Sequence, residues 1–188
     1  QTISMGAIAK ANDNPKVKVA DVPTDRLDEL TRYDMVFVNG MGLRVVEEER
    51  AQIQRAADKG IPVYTTMATN PANNICSLEE EHIGRVAAYL GGGRKNYRNL
   101  LNYIRKEIDG KVSSIPEIEE PVERPWDILY HAGVENPEDE MEFTTVADYE
   151  AFLRSNGLYK EDGHKIVVTG QMADATGLIA ALEKAGHN

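Results

Sequence analysis

"DMVFVNG" (34–40) is a short apolar, β-branched run ending in Asn-Gly, which reads as a buried strand leaving a sheet. "VVEEERAQIQRAADKG" (45–60) follows, with Val46, Arg50, Ile53 and Ala57 at helical spacing and acids in the first turn. Gly60 stands where a helix-terminating glycine belongs. "IPVYTT" (61–66) is then a second β-branched run. Strand, helix and strand at this spacing make a βαβ unit, which predicts an open parallel sheet of flavodoxin or Rossmann type.

Working outward, "VKVA" (17–20) reads as one more strand and "TDRLDELTRY" (24–33) as a short helix. Downstream, "CSLEEEHIGRVAAYLGGG" (76–93) places Ser77 and Glu80 in capping-box register, with Ile83, Val86, Ala87 and Leu90 as its apolar face. Residues 94–108 set Tyr97, Leu100, Leu101, Ile104 and Ile108 on one face. The two segments predict a helical hairpin over about 77–108.

"DGKVSSIPEIEEPVERP" (109–125) has three prolines, five carboxylates and no periodicity, which predicts an extended connection. Beyond it, "WDILYH" (126–131) reads as a strand, "TVADYEAFLRSNG" (145–157) as a helix and "HKIVVTG" (164–170) as a strand. "DATGLIAALEKAG" (174–186) reads as a helix with Asp174 as a candidate cap. The expected organisation is a first α/β lobe over 1–110, a connection over 111–125 and the start of a second α/β lobe over 126–188. A terminal helix that would ordinarily feed another strand suggests a piece of a longer chain.

Composition narrows the function. The chain has 188 residues and a formal charge of −10, which opposes nucleic-acid partners because that affinity comes largely from Lys and Arg on phosphates. No apolar run reaches the roughly 20 residues of a membrane-spanning helix. Cys76 is the single cysteine, so there is no internal disulfide and no thiolate-rich zinc site.

The motifs are judged by what their chemistry requires. "GGGRKN" (91–96) is not a P-loop: a helix precedes it, and the Lys is followed by Asn96 rather than a magnesium-binding hydroxyl. A glycine corner between two helices explains it. "NGMGLRV" (39–45) lies where a dinucleotide fingerprint would, but Val45 occupies the third glycine position and no acid ends the next strand, so no NAD or FAD site is expected. Asn39, Gly40 and Gly42 remain candidates for lining a ligand cleft at the strand ends.

His82, His131, His164 and His187 show no metal-ligand spacing. His82 reads as solvated, whereas His131, at a strand-to-loop junction, could face a cleft and is the one weak metal candidate. Arg94, Lys95, Arg98, Arg105 and Lys106 read either as a solvated helix face or as a carboxylate-binding patch.

"AAYLGGGRKNYRNLLNYI" (87–104) resembles a signature of the large subunit of cobaltochelatase and its relatives, the CobN and magnesium-chelatase H-subunit family. The resemblance is carried by Tyr89, Leu90, Gly91, Gly92, Asn96, Asn99, Leu100, Leu101 and Tyr103, with Leu129, Tyr130 and His131 further on. Ala132 stands where the family has proline. Residues 148–188 resemble the next family segment, and among relatives the CobN-like proteins linked to haem uptake are similar.

The resemblance implies an amino-terminal portion of a tetrapyrrole-binding chelatase subunit. Its substrates would be a porphyrin or corrin and a divalent metal (Co, Mg or Fe), inserted or removed. ATP would enter only through separate AAA+ partner subunits. This segment would be mainly scaffold or cleft wall, with His131, Tyr130, Asn39, Gly40, Gly42, Arg94 and Arg98 as tetrapyrrole- or cleft-lining candidates. Gly91, Gly92, Asn96 and Asn99 would be its structural motif. Catalytic residues are not implied. A cytoplasmic location is expected, with periplasmic or membrane-associated placement as alternatives. The residues alone also fit a non-catalytic α/β small-ligand or protein-interaction module.

Overall fold

The computed structural model describes residues 5–40, 46–113, 115–123, 125, 127–136, 139–169 and 175–188. It is a mixed α/β chain. After helix α1 (Met5–Ala11) and a 3-10 segment (Thr24–Arg32) comes the predicted βαβ unit: β1 (Val36–Asn39), α2 (Glu47–Asp58) and β2 (Val63–Thr66). β1 and β2 are parallel, in register from Val36 opposite Val63 to Asn39 opposite Thr66. Among the described residues the sheet is extended by a single antiparallel bridge between Tyr64 and Cys76.

α2 starts where Glu49 Oε2 accepts the Val46 N–H at 3.1 Å and stops at Gly60, whose φ of 85° is the left-handed conformation that favours glycine. Ile53 and Ala56 face β1 and β2, forming one apolar cluster with Leu30, Val36, Val63 and Ile75.

The helical hairpin is α3 (Glu80–Tyr89) and α4 (Arg94–Tyr103), with a π-type extension over Ile104–Ile108. Gly92 and Gly93 have φ of 112° and 91°, so the glycines do form the corner. Val86, Tyr89 and Leu100 are fully buried in a second cluster that includes Ile8 of α1. Each such side chain contributes about 1.5–3 kcal/mol relative to exposure.

The rest comprises the antiparallel pair β3 (Leu129–His131) and β4 (Met141–Phe143), then α5 (Val146–Ser155) and α6 (Thr176–Lys184). The Thr145 hydroxyl caps α5 by accepting the Asp148 N–H at 3.1 Å. Gly157, at φ 68°, terminates it.

Several expectations are corrected. Residues 17–20 form no strand; Val17 packs on the hairpin core while Val19 is exposed. Residues 164–169 form none either: among the described residues their ladder is Ile166 N–H to Asn188 O at 2.7 Å and Asn188 N–H to His164 O at 2.8 Å. Ser77 does not cap α3. Its hydroxyl donates to Ile61 O at 3.0 Å and accepts from Val63 N–H at 2.9 Å, tying the residues before α3 to the start of β2. On α3 Tyr89 is buried beside Val86, whereas Ala87 is exposed. The proposed cap Asp174 lies outside the described residues.

Candidate functional site

β3 ends on His131, which is 5% exposed and set among aromatic rings. Its ring centroid lies 5.1 Å from Phe152 and 5.8 Å from Tyr149, and Phe143 closes the cluster at 5.1 Å from Phe152. Tyr149 and Phe152 are three apart on α5, so one helix face presents both to β3 and β4.

Both ring nitrogens of His131 are engaged. Nδ1 lies 2.5 Å from the Ala132 carbonyl and Nε2 lies 2.7 Å from Glu183 Oε1 on α6. The ring thus bridges the main chain after β3 and a carboxylate of α6, with the donor and acceptor roles of its two nitrogens set by the tautomer.

This unit borders a cavity of about 330 Å³. Its walls are Leu129 to Ala132, Tyr149 and Leu153 of α5, the extended residues 165–169, and Ile179, Leu182 and Glu183 of α6. Lys165 and Glu150 also line it and pair with each other. Burial raises the Tyr149 phenol above its ordinary value, and the nearby Glu183 carboxylate adds to the effect. The walls are mainly apolar, with few polar groups, the usual make-up of a small-molecule site.

The structure separates the sequence candidates. Tyr130 and His131 line the cavity. Asn39 and Gly40 sit on the parallel sheet, where Gly40 N–H bonds Thr66 O at 2.8 Å and a Cβ on Gly40 would reach within 2.8 Å of Ala68 Cα. The Gly40 glycine is explained by that close approach. Gly42 lies outside the described residues. Arg94 opens α4 without lining the cavity, and Arg98 faces Glu119 at 3.9 Å and Asp13 at 3.8 Å. The corner does approach the cavity lobe: a Cβ on Gly93 would lie 3.6 Å from Oε2 of Glu140, a cavity-lining residue.

His82, read as solvated, is instead half-buried with Nδ1 2.8 Å from the Tyr103 hydroxyl. His164 and His187 lie side by side, ring centroids 5.5 Å apart. Among the described residues no group of three or more His, Cys, Asp or Glu could hold a metal. Nε2 of His131, the metal candidate, is in contact with Glu183 Oε1.

Glu183, Tyr149 and Phe152 escaped the sequence reading. The (i, i+3) aromatic pair on α5 was visible in the sequence, but Glu183 meets His131 only across 52 residues.

A model of the CobN/magnesium chelatase family matches residues 87–188, more than half of the chain. The chain belongs to this family. The matched stretch holds α4 and every residue lining the cavity. Among curated proteins, the chain is similar to UvrABC system protein B of Latilactobacillus sakei subsp. sakei (strain 23K), at 25% identity over 159 residues. That alignment covers 82% of this chain and 23% of that protein, so the chain spans about a quarter of that relative's length. No solved structure matches. Among the described residues, no helix is long and apolar enough to cross a membrane.

Proposed function

We propose that this CobN/magnesium chelatase family chain serves as part of a tetrapyrrole-binding subunit, contributing a wall of the cleft in which a metal enters or leaves the macrocycle. The supporting observation is that the family match encloses the whole His131 cavity. At about 330 Å³ the cavity is at the low end of the roughly 300–1,000 Å³ of small-molecule sites. It suits one edge of a flat macrocycle, with the remainder covered by other parts of the subunit.

Metallation removes two pyrrole protons, and demetallation returns them. The His131–Glu183 pair sets an imidazole against a carboxylate on an apolar wall, residue types suited to proton exchange with such a group. Tyr130 would flank the bound edge. The division at 111–125, the AAA+ partners, and the identity of metal and macrocycle belong to the same proposal.

An absorbance titration of the purified chain with haem and with metal-free porphyrin tests it. Saturable binding with a Soret shift, weakened in His131→Ala, is the expected result. A folded chain that binds neither ligand, or a His131→Ala variant that binds as well as the wild type, overturns the assignment of the cavity.

A further inference from the structure

α4 buries three asparagines, Asn96, Asn99 and Asn102, at a spacing of three. Buried amides need partners. Asn102 Oδ1 accepts from Asn14 Nδ2 at 3.1 Å, which ties the residues after α1 to α4. The other two turn toward residues 118–122, in the stretch expected to be a plain connection.

Asn96 uses both ends of its amide on one residue. Nδ2 donates to Val122 O at 2.8 Å and Oδ1 accepts from Val122 N–H at 2.9 Å. Asn99 Oδ1 accepts the Glu119 N–H at 3.1 Å, and the Tyr89 hydroxyl donates to Glu119 O at 2.6 Å. The main chain is thus read at two residues, three apart, by side chains of α3 and α4. This is how a helical surface holds an extended peptide without supplying a strand.

The side chains are read as well. Lys95 Nζ lies 2.5 Å from Glu119 Oε2, with Arg98 3.9 Å from its other oxygen. Arg85 takes Glu120 with both terminal nitrogens, one at 2.7 Å. Ile118 packs on the hairpin core. Pro121 borders an open concavity of about 490 Å³ shared with Gly84, Arg85, Ala88 and Tyr103. Gly84 and Ala88, four apart on α3, keep that floor low. The bound segment stays superficial: Val122 is 53% exposed and the flanking residues 116, 117 and 123 are exposed.

We propose that this face of α3 and α4 is a docking groove for an extended acidic protein segment of the form Ile-Glu-Glu-Pro-Val. Residues 118–122 are its resident occupant, which a partner segment of the same chemistry displaces. The groove recognises an apolar anchor, two consecutive carboxylates, a proline and two main-chain positions. The basic residues of α4 have their use here: two of them clasp a carboxylate of the chain itself. The inference does not depend on the tetrapyrrole reading.

The test is a fluorescence-anisotropy titration with a labelled peptide of the 115–125 sequence. It is run against the full chain and against a full chain carrying Glu119→Ala, Glu120→Ala and Val122→Pro. The substitutions remove both carboxylates and the Val122 N–H while leaving the groove intact. Tethering gives the resident segment a millimolar-range local concentration, so the wild type should bind the peptide at least about tenfold more weakly than the weakened-strap chain. Adding Arg85→Ala and Asn99→Ala should abolish the gain, and a scrambled peptide should not bind.

No saturable binding by a weakened-strap chain of wild-type helicity overturns the proposal. So does equal binding of the scrambled peptide or by the wild type. If that variant does not fold, hydrogen exchange of the wild type decides. The Glu119 and Val122 amides should exchange at least about tenfold faster than those of Leu100 and Leu101, showing that the strap opens alone. Exchange locked to the rate of α4 means the segment is a fixed part of the core, and the groove does not exchange.

Discussion

Replacing Glu183 by alanine should release α6 while leaving the hairpin untouched. No residue of α6 is fully buried, and Ile179 and Leu182 only border the cavity. A side-chain tie holds it to β3: Glu183 Oε1 to His131 Nε2, at 2.7 Å, between side chains 5% and 21% exposed. A hydrogen bond to a charged partner contributes about 1.5–3 kcal/mol when removal strands a buried group. The partial exposure of Glu183 argues for the middle of that range, about 2 kcal/mol, or roughly a 30-fold change in the opening equilibrium of α6. Hydrogen exchange reads it directly: α6 amides should lose about 30-fold in protection, with Leu100 and Leu101 of α4 unchanged. Glu183→Gln is the control. A neutral His131 ring, donating through Nδ1 to Ala132 O, can accept at Nε2 from the glutamine amide, so most protection should return. Unchanged α6 protection in Glu183→Ala, or equal losses in both variants, would refute the view that this pair anchors the helix.

Two further outcomes follow from the structure. Burial raises the phenols of Tyr64, Tyr89 and Tyr149 above the ordinary value near 10. The folded chain thus holds those protons more tightly than the unfolded one, so stability is intact below about pH 10 and falls as pH rises through the folded values; denaturant midpoints independent of pH there would contradict this. Gly133→Ala would drive a Cβ into the main-chain carbonyls of Asn136 and Asp139 in the β3–β4 connection. It should cost about 1–3 kcal/mol and loosen the cavity wall, and an unchanged unfolding midpoint would show that the connection yields freely.

The βαβ unit and the hairpin were legible because their signals are local. β1 and β2 are β-branched runs ended by turn residues, and the glycine corner needs only two positive φ angles at Gly92 and Gly93. The residues at 164–168 carry the same kind of signal and form no strand. An apolar β-branched run reports a preference for extended, partly buried backbone, and a ladder further requires a neighbour to complete it. Here the backbone partner among the described residues is Asn188, and Ile166 and Val167 line the cavity while remaining 40% and 78% exposed.

Asn96, Asn99 and Asn102 show the opposite failure. A search for apolar periodicity treats asparagine as outward-facing, and the three were invisible as a buried face. Yet their recurrence at every third position on the same helix as Leu100 and Leu101 is itself a signal, because a buried amide needs a partner. The long-range partners of Asn96 and Asn99 lie at Glu119 and Val122, in a segment whose prolines and carboxylates argue against any regular structure. Low regularity and firm placement are compatible when side chains supply the main-chain hydrogen bonds. The same reasoning explains why His131 could be singled out and Glu183 could not: a residue's junction position is written locally, but its hydrogen-bond partner is set by how β3 and α6 pack.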